Sequence, residues 1–448
     1  MSRVPDPTEA TETTPPNPSA LRVLIVAENA SRRFGGEAAL PMHYYEHLRR
    51  RGVPVWLLTH ERVKPEFEGS EHADHVFYSE ERKIHRFLWR VGAWLPDRIE
   101  NLTTAYWSRL LTQIVQRRKI RQFVKELSID VIHQPIPVSP KEPSLLYGFD
   151  APVVIGPLNG GMDFPPAFRS ADSAFTRLLL RGSRWLAHGL SVLAPGKRRA
   201  AAILVANERT RLALPSGHSP HVEHMVENGV NLQLWQPRAP SQQAPQGARP
   251  ARYVFMGRLV DVKRVDLLLD AFAQACRQQP MSLLIIGDGP LLPELQRQAK
   301  VQGILAPEPE TVSGVHFAGW MAQADAARQL GTQDCLVLPS IRECGGAVVL
   351  EAMASSLPVI AVDWGGPADY LDDSCGILIA PKSARYLVQE MARALVTLAR
   401  DPALRSRLGA QGRAKVEREF DWEKKIDAIQ SVYARAVAAR AAKRGVKS

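Results

Sequence analysis

Glu343 and Glu351, with seven residues between them, bracket a glycine pair in the stretch P-S-I-R-E-C-G-G-A-V-V-L-E-A-M of residues 339–353. The apolar run at 335–338 reads as a buried strand that ends in a polar loop carrying Glu343. Gly345 and Gly346 then open a helix that contains Glu351. Backbone N–H groups at such a helix start, uncovered by any Cβ, suit a phosphate or diphosphate. Two carboxylates beside a diphosphate repel it unless they face neutral hydroxyls, as on a hexose and a ribose. The pattern therefore points to a nucleotide sugar.

Cations for the diphosphate stand upstream. The loop M-G-R-L-V-D-V-K-R supplies Arg258 and Lys263 between a strand at 252–255 and a helix at 265–277. A cation about 4 Å from a phosphate charge is worth about 4 kcal/mol at an effective dielectric near 20, enough to bind the donor without a metal. An isolated pair of this kind is equally well read as solvated loop charge. It gains meaning beside the two glutamates.

The elements that must position these groups form a repeating strand, loop and helix order. After 252–255 come strands at 283–286, 315–317 and 335–338, with helices at 265–277 and 291–300 between them. This is an α/β pattern with a parallel sheet, in which ligands bind outside the carboxyl ends of the strands. Arg258, Lys263, the turn Gly287-Asp288-Gly289-Pro290, Gly319, Glu343 and Gly346 should converge on one edge. The first half shows the same order. A strand at 21–27, a loop with Gly35 and Gly36, a helix at 38–51 and a strand at 53–58 are followed by strands at 130–133, 151–155, 202–206 and 222–226. A lone glycine pair after a first strand serves equally to turn the chain tightly. His133 ends its strand, where a histidine alone is commonly a structural hydrogen-bonder.

With 448 residues the chain suits two domains and a cleft between them. Residues 1–20, rich in Pro and Thr, read as a disordered tail, and 231–250 as a linker. No run of 18 apolar residues exists and the N-terminus lacks a signal-peptide core, so a cytoplasmic location is expected. Cys276, Cys335, Cys344 and Cys375 have no metal-type spacing and read as reduced thiols.

The second half resembles the donor domain of the family 4 glycosyltransferases, retaining enzymes of the GT-B fold. The resemblance rests on G-R-L-V-D-V-K, I-I-G-D-G-P, H-F-A-G-W and E-C-G-G-A-V-V-L-E-A-M-A-S-S-L-P-V-I-A, in that order and at that spacing. It implies two Rossmann-like doubly wound domains facing a central cleft: an acceptor-binding domain at 21–230, a nucleotide-sugar domain at 251–420, and a helix at 421–448 that crosses back to the first. By the same resemblance Glu343 meets hydroxyls of the transferred sugar and Glu351 the ribose, while Arg258 and Lys263 neutralise the diphosphate. Residues 287–290 with Gly319 and Trp320 frame the base, Gly345 and Gly346 line the sugar pocket, and Gly35 and Gly36 approach the diphosphate. His133 faces the sugar, acting through its ring on a hydroxyl or through its carbonyl on an oxocarbenium-like state. Asn228-Gly229-Val230 matches the segment leading into the linker.

Two positions depart from the family. Most members carry an aromatic residue at Gly345, and an aspartate commonly stands at Asn231, which reads here as a linker-start cap. The family is thought to use the leaving phosphate as base, so no protein nucleophile is required, and electrostatic preorganisation contributes most of the barrier lowering. No cofactor or metal is expected beyond a UDP- or GDP-sugar donor.

The acceptor side reads differently. Residues 82–125 carry Lys83, Arg86, Arg90, Arg98, Arg109, Arg117, Arg118, Lys119 and Arg121 among Phe87, Leu88, Trp89, Trp94, Trp107 and Leu110. Residues 175–199 add six cations and no acid. They account for much of the net charge of +11. Basic helices with Trp and Leu suit an anionic bilayer surface, and equally a pair of helices packed on the sheet with solvated arginines. The expected partners are a glycan or lipid-linked acceptor and an anionic membrane surface on the inner face of the cytoplasmic membrane. No zinc-finger, RNA-recognition or aromatic-platform signature points to nucleic acid. The loop I-G-P-L-N-G-G-M-D-F-P-P at 155–166 is expected at the acceptor face, with Asn159, Gly160 and Gly161 as contacts, or as a plain Gly/Pro turn. Two other readings stay open: a GT-B sugar-nucleotide epimerase or phosphorylase, and a catalytically silent GT-B scaffold.

Overall fold

The computed structural model describes residues 20–32, 36–92, 94, 104–169, 189, 194–237, 249–306 and 313–445. Gly35, Arg98, most of the expected tail and linker, and most of the basic stretch at 175–199 lie outside the described residues. The chain divides into two compact units, 1–158 with 178–225 and 426–448, and 159–177 with 226–425.

In the first unit the apolar runs form β1 (Val23–Val26), β2 (Val55–His60), β3 (Val76–Ser79), β4 (Val131–Gln134), β5 (Val153–Leu158), β6 (Ala202–Val205) and β7 (Val222–His224). They pair in parallel in the order β3-β2-β1-β4-β5-β6-β7. β1 and β2 are buried along their whole length, as strands covered on both faces must be. Helices α1 (Gly36–Arg50), α2 (Lys83–Gly92) and α3 (Thr104–Glu126) belong to this unit. Strand order reverses between β1 and β4, the position where a doubly wound sheet opens its ligand crevice.

The second unit repeats the winding. Strands β8 (Ala251–Met256), β9 (Met281–Ile286), β10 (Gly314–Gly319), β11 (Cys335–Leu338), β12 (Val359–Val362) and β13 (Gly376–Ile379) lie parallel in the order β10-β9-β8-β11-β12-β13, with the reversal between β8 and β11. Helices α4 (Val265–Cys276), α5 (Leu292–Val301), α6 (Gln323–Leu330), α7 (Ala347–Ala354), α8 (Gly366–Tyr370), α9 (Ala384–Arg400) and α10 (Pro402–Glu419) connect and follow them. Two of the starts carry sequence-coded caps: Ser383 accepts from the Tyr386 N–H at 3.1 Å, and Asp401, before Pro402, accepts from Leu404 at 2.8 Å. Tyr253, Phe255, Phe272, Leu336 and Ile360 are among the fully buried core.

The structure redraws three boundaries. The expected linker start packs instead: Asn231 turns the chain by accepting from Gln233 at 2.9 Å, and Trp235 is buried in the second core, its carbonyl held by Arg413 at 3.0 Å. Of the loop at 155–166, expected at the acceptor face or as a plain turn, the residues from Asn159 onward belong to the second unit. The last helix, α11 (Trp422–Gly445), counts with the first unit from Ile426 onward. There Arg440 donates to the Phe149 carbonyl at 2.7 Å and Arg435 pairs with Glu223 at 2.6 Å.

Candidate active site

The switch point of the second unit is built from four strand-end loops. After β8 the chain runs through Gly257 and Arg258 into a short 3-10 turn, Asp261–Lys263, and after β11 through Pro339 to Glu343. The Ile341 N–H donates to the Val262 carbonyl at 3.0 Å, so the two loops are joined by backbone. This brings Lys263 to Glu343, whose Oε2 accepts from the ammonium, both side chains being largely buried. Arg258 is exposed beside them and has no ion-pair partner among the described residues.

The loop after β9 fits under the loop after β8 because Gly287 and Gly289 carry no side chains at the points of contact. A Cβ on Gly287 would lie 1.9 Å from the Gly257 carbonyl oxygen, and one on Gly289 2.4 Å from that of Leu259. Leu259 donates to the Asp288 carbonyl at 2.9 Å, and Gly287 to that of Gly319 at 2.8 Å. The turn of residues 287–290, Gly319 and Trp320 thus stand at the same sheet edge as Arg258 and Lys263. Asp288 and Pro290 are exposed, as is Trp320, whose ring is available to a planar base.

Gly346 caps α7 in the left-handed region, at φ 77°. Glu351 sits in this helix. Burial pushes its carboxyl up to about 7, offset in part by a hydrogen bond from the Gln323 side chain. The edge therefore combines an exposed guanidinium, a lysine–glutamate pair, a helix start with open N–H groups and a second carboxyl one helix turn on. Together these suit a diphosphate flanked by hydroxyl-bearing rings.

Residues 250–401, which hold all of these loops, match the family Glycosyl transferases group 1. They form a glycosyl transferases group 1 domain. A D-inositol 3-phosphate glycosyltransferase of Kineococcus radiotolerans is 32% identical over 276 residues, covering 55% of this chain and 60% of that protein. A GDP-mannose-dependent monoacylated alpha-(1-6)-phosphatidylinositol monomannoside mannosyltransferase of Corynebacterium glutamicum is 29% identical over 221 residues, 46% and 54% of the two chains. The chain thus spans little more than half the length of these curated relatives. The solved structure of HepE from Anabaena with UDP and glucose is 18% identical, covers 92% of this chain and 98% of its own, and superposes with a TM-score of 0.59. That likeness shows the fold, which is GT-B with two Rossmann-like sheets.

Around Glu343 the glycosyl transferase domain uses residues not singled out from the sequence. A Cβ on Gly345 would lie 2.2 Å from Asn228 Nδ2 and 2.3 Å from Glu227 Oε1. Glu227 and Asn228 thus occupy the space that a side chain at 345 would need. Glu227 Oε1 accepts from Asn228 at 3.0 Å and from the Tyr370 hydroxyl at 3.2 Å, while its Oε2 is buried without a well-formed hydrogen bond. Burial raises the Glu227 carboxyl and lowers the ammonium of Lys425, which attract each other. Lys425 also donates to the Val226 carbonyl and lies 5.0 Å over the Trp422 ring.

The rear of the Glu343 loop is fixed by Gly365 and Gly366, which follow β12. A Cβ on them would lie 2.3 Å from the Glu343 carbonyl oxygen and 2.0 Å from that of Gly345. The Gly366 N–H donates to Glu343 at 2.7 Å. Asn159 donates to the Cys344 carbonyl at 2.8 Å, the Trp364 indole to Asp163 at 2.9 Å, and Arg342 lies 5.2 Å over Phe164. Asn159, expected at the acceptor face or in a plain turn, thus braces the Glu343 loop. The signal for this support was W-G-G-P after an apolar run, a strand followed by a turn that only glycine fits.

In the first unit Gly36 opens α1, exposed. His133 is fully buried. One ring nitrogen lies 2.6 Å from the Gly156 carbonyl oxygen and the other 2.7 Å from the Tyr433 hydroxyl, so the ring joins β4 to β5 and α11. Its side chain is not placed to take a sugar hydroxyl. Among the described residues no three His, Cys, Asp or Glu side chains are grouped to hold a metal ion.

Proposed function

We propose that the protein is a retaining glycosyltransferase that moves a hexose-type sugar from a UDP- or GDP-sugar to a glycan or lipid-linked acceptor in cell-surface polysaccharide or glycolipid synthesis. The observation that carries this reading is the joining of Lys263 to Glu343 across the β8/β11 switch point, with Arg258 and the start of α7 alongside. A diphosphate approaching Lys263 draws the ammonium away from Glu343 and leaves that carboxylate to accept sugar hydroxyls. Arg258, Lys263 and the N–H groups at Gly346 then stabilise the charge that grows on the leaving diphosphate, while Glu351 accepts from the ribose. The proposed mechanism requires no metal. The HepE complex with UDP and glucose and the GDP-mannose-dependent relative support a nucleotide-sugar donor.

A lipid-linked acceptor is supported by α2. Ile84, Phe87 and Trp89 are 48%, 64% and 58% exposed, and Trp94 just beyond is 89% exposed, flanked by the exposed cations Lys83, Arg86 and Arg90. Such a face suits the interface of an anionic bilayer. In α3, by contrast, Arg109 pairs with Glu142 at 2.9 Å, Arg117 stacks 3.9 Å from the Tyr147 ring and Lys119 donates to the Tyr78 carbonyl at 2.8 Å. Among the described residues the membrane reading therefore rests mainly on α2. None of the described helices is long and apolar enough to cross a membrane.

The test is transfer from an α-linked UDP- or GDP-sugar to a membrane-lipid extract, with the anomeric proton of the product read by NMR. An α-linked product is expected. A β-linked product would overturn the retaining reading, and no product with any donor would overturn the transferase.

A further inference from the structure

The reversal of strand order between β1 and β4 gives the first unit its own crevice. A cavity of about 300 Å³ lies there, within the range of small-molecule sites. Glu28 follows β1, Arg62 follows β2, Glu37 lies in α1, Trp89 in α2, Arg109 in α3 and Glu142 in the loop after β4; all six line it.

Its charges are already arranged in pairs. Arg62 reaches Glu28 at 2.9 Å and Asn29 at 2.6 Å, and its guanidinium lies 5.6 Å from the Trp89 ring. Arg109 reaches Glu142 at 2.9 Å. The backbone of Glu142 is held in turn by the buried ammonium of Lys197, 2.6 Å from its carbonyl oxygen. Glu37 accepts from the Val138 N–H at 3.0 Å through one oxygen, leaving the other for a further donor. Three carboxyl groups stand against two guanidinia, so the lining carries no excess of cations. Both guanidinia are spent on carboxylates, so a phosphate entering here meets no spare cation. A hydroxyl fits without cost, because it donates to a carboxylate and accepts from a guanidinium. The indole offers a flat apolar face to the C–H side of a pyranose.

We propose that this cavity binds the terminal sugar of the acceptor as an uncharged, hydroxyl-bearing ring, in contrast to the phosphorylated inositol in the name of the Kineococcus relative. This rests on the glycosyltransferase reading above. Trp89 belongs both to the cavity wall and to the exposed apolar face of α2, so a lipid carried on that face has its sugar end at the cavity mouth. Burial raises the carboxyls of Glu28 and Glu37, consistent with carboxylates that gain from hydroxyl donors.

The test titrates the full chain with methyl glycosides of glucose, mannose and galactose, and separately with inorganic phosphate and inositol phosphate, read by saturation-transfer NMR. UDP and GDP are titrated on the same samples. At least one methyl glycoside should bind and phosphate should not displace it. Trp89→Ala should weaken the glycoside by about tenfold or more. The double change Glu28→Gln with Glu142→Gln, which frees both guanidinia, should confer phosphate binding. Unaltered nucleotide affinity in these variants shows that they are folded. No glycoside binding by the wild type at high millimolar concentration, or phosphate bound as tightly as the glycosides, overturns the proposal. Glycoside binding without binding of either nucleotide would instead sink the donor reading and leave the cavity assignment standing.

Discussion

Lys263 and Glu343 sit in a largely buried ion pair, so each depends on the other for more than catalysis. Lys263→Met leaves a carboxylate without its cation, and Lys263→Met with Glu343→Gln removes both charges. The double variant should be more stable to urea than the sum of the singles by about 1–3 kcal/mol, yet as inactive as either, with kcat down about a hundredfold or more. Additive stabilities would mean that the two groups do not interact in solution. Glu351 makes a pH prediction. Its folded pKa is raised from 4.5 to about 7, so the stability contributed by its neutral form is whole below pH 4.5 and lost as pH rises through about 7. Glu351→Gln should therefore gain stability relative to the wild type across that interval, by at most ~3 kcal/mol, in denaturant titrations at pH 4.5 and 7.5. A constant difference between the two would refute the shift. At Gly345 a methyl group meets Glu227 and Asn228, so Gly345→Ala should raise the donor KM by about tenfold with little change in melting temperature. An unchanged KM would separate the Glu227 cluster from the sugar subsite.

Among elements, the strand-end loops of the second unit owe their shape to backbone packed on backbone. Gly287 stands at φ 146° and its added Cβ would overlap the Gly257 carbonyl, so Gly287→Ala should destabilise by about 3 kcal/mol or more in urea. A change under about 1 kcal/mol would show that the two loops separate readily. These loops were legible because each follows a largely apolar run and carries its own glycine. β3 was not, because only Val76 and Ser79 of V-F-Y-S are buried and it lies at the sheet edge, so no apolar run marks it. The bracing of the Glu343 loop by Asn159, Glu227 and Gly366 was hidden for another reason: these residues come from segments far apart in sequence, and their roles appear only when the loops meet. The partners of the His133 ring could not be read from its position alone. A strand end places the residue, but Tyr433, 300 positions later, decides where its nitrogens point.

For the whole molecule, the net charge of +11 is not a uniform coat. Arg109, Arg117 and Lys119 are engaged within the first unit, whereas the cations of α2 are exposed beside Phe87 and Trp94. Vesicles containing anionic lipid should co-sediment with the protein at low salt, and Phe87→Ser with Trp94→Ser should reduce that binding about tenfold while neutral vesicles fail to bind. Equal binding by the variant would exclude α2 as the contact. Two sheets with the same winding each present a crevice at their own switch point; under the proposed function one takes a diphosphate with its sugar and ribose and the other neutral hydroxyls. The most direct test of this division of labour is nucleotide release from a panel of UDP- and GDP-sugars by the wild type and by Glu343→Ala, with lipid extract present. Release by the wild type from one donor class, lost in the variant, is the predicted result. Equal release by both proteins, or none by either despite measured nucleotide binding, would contradict it.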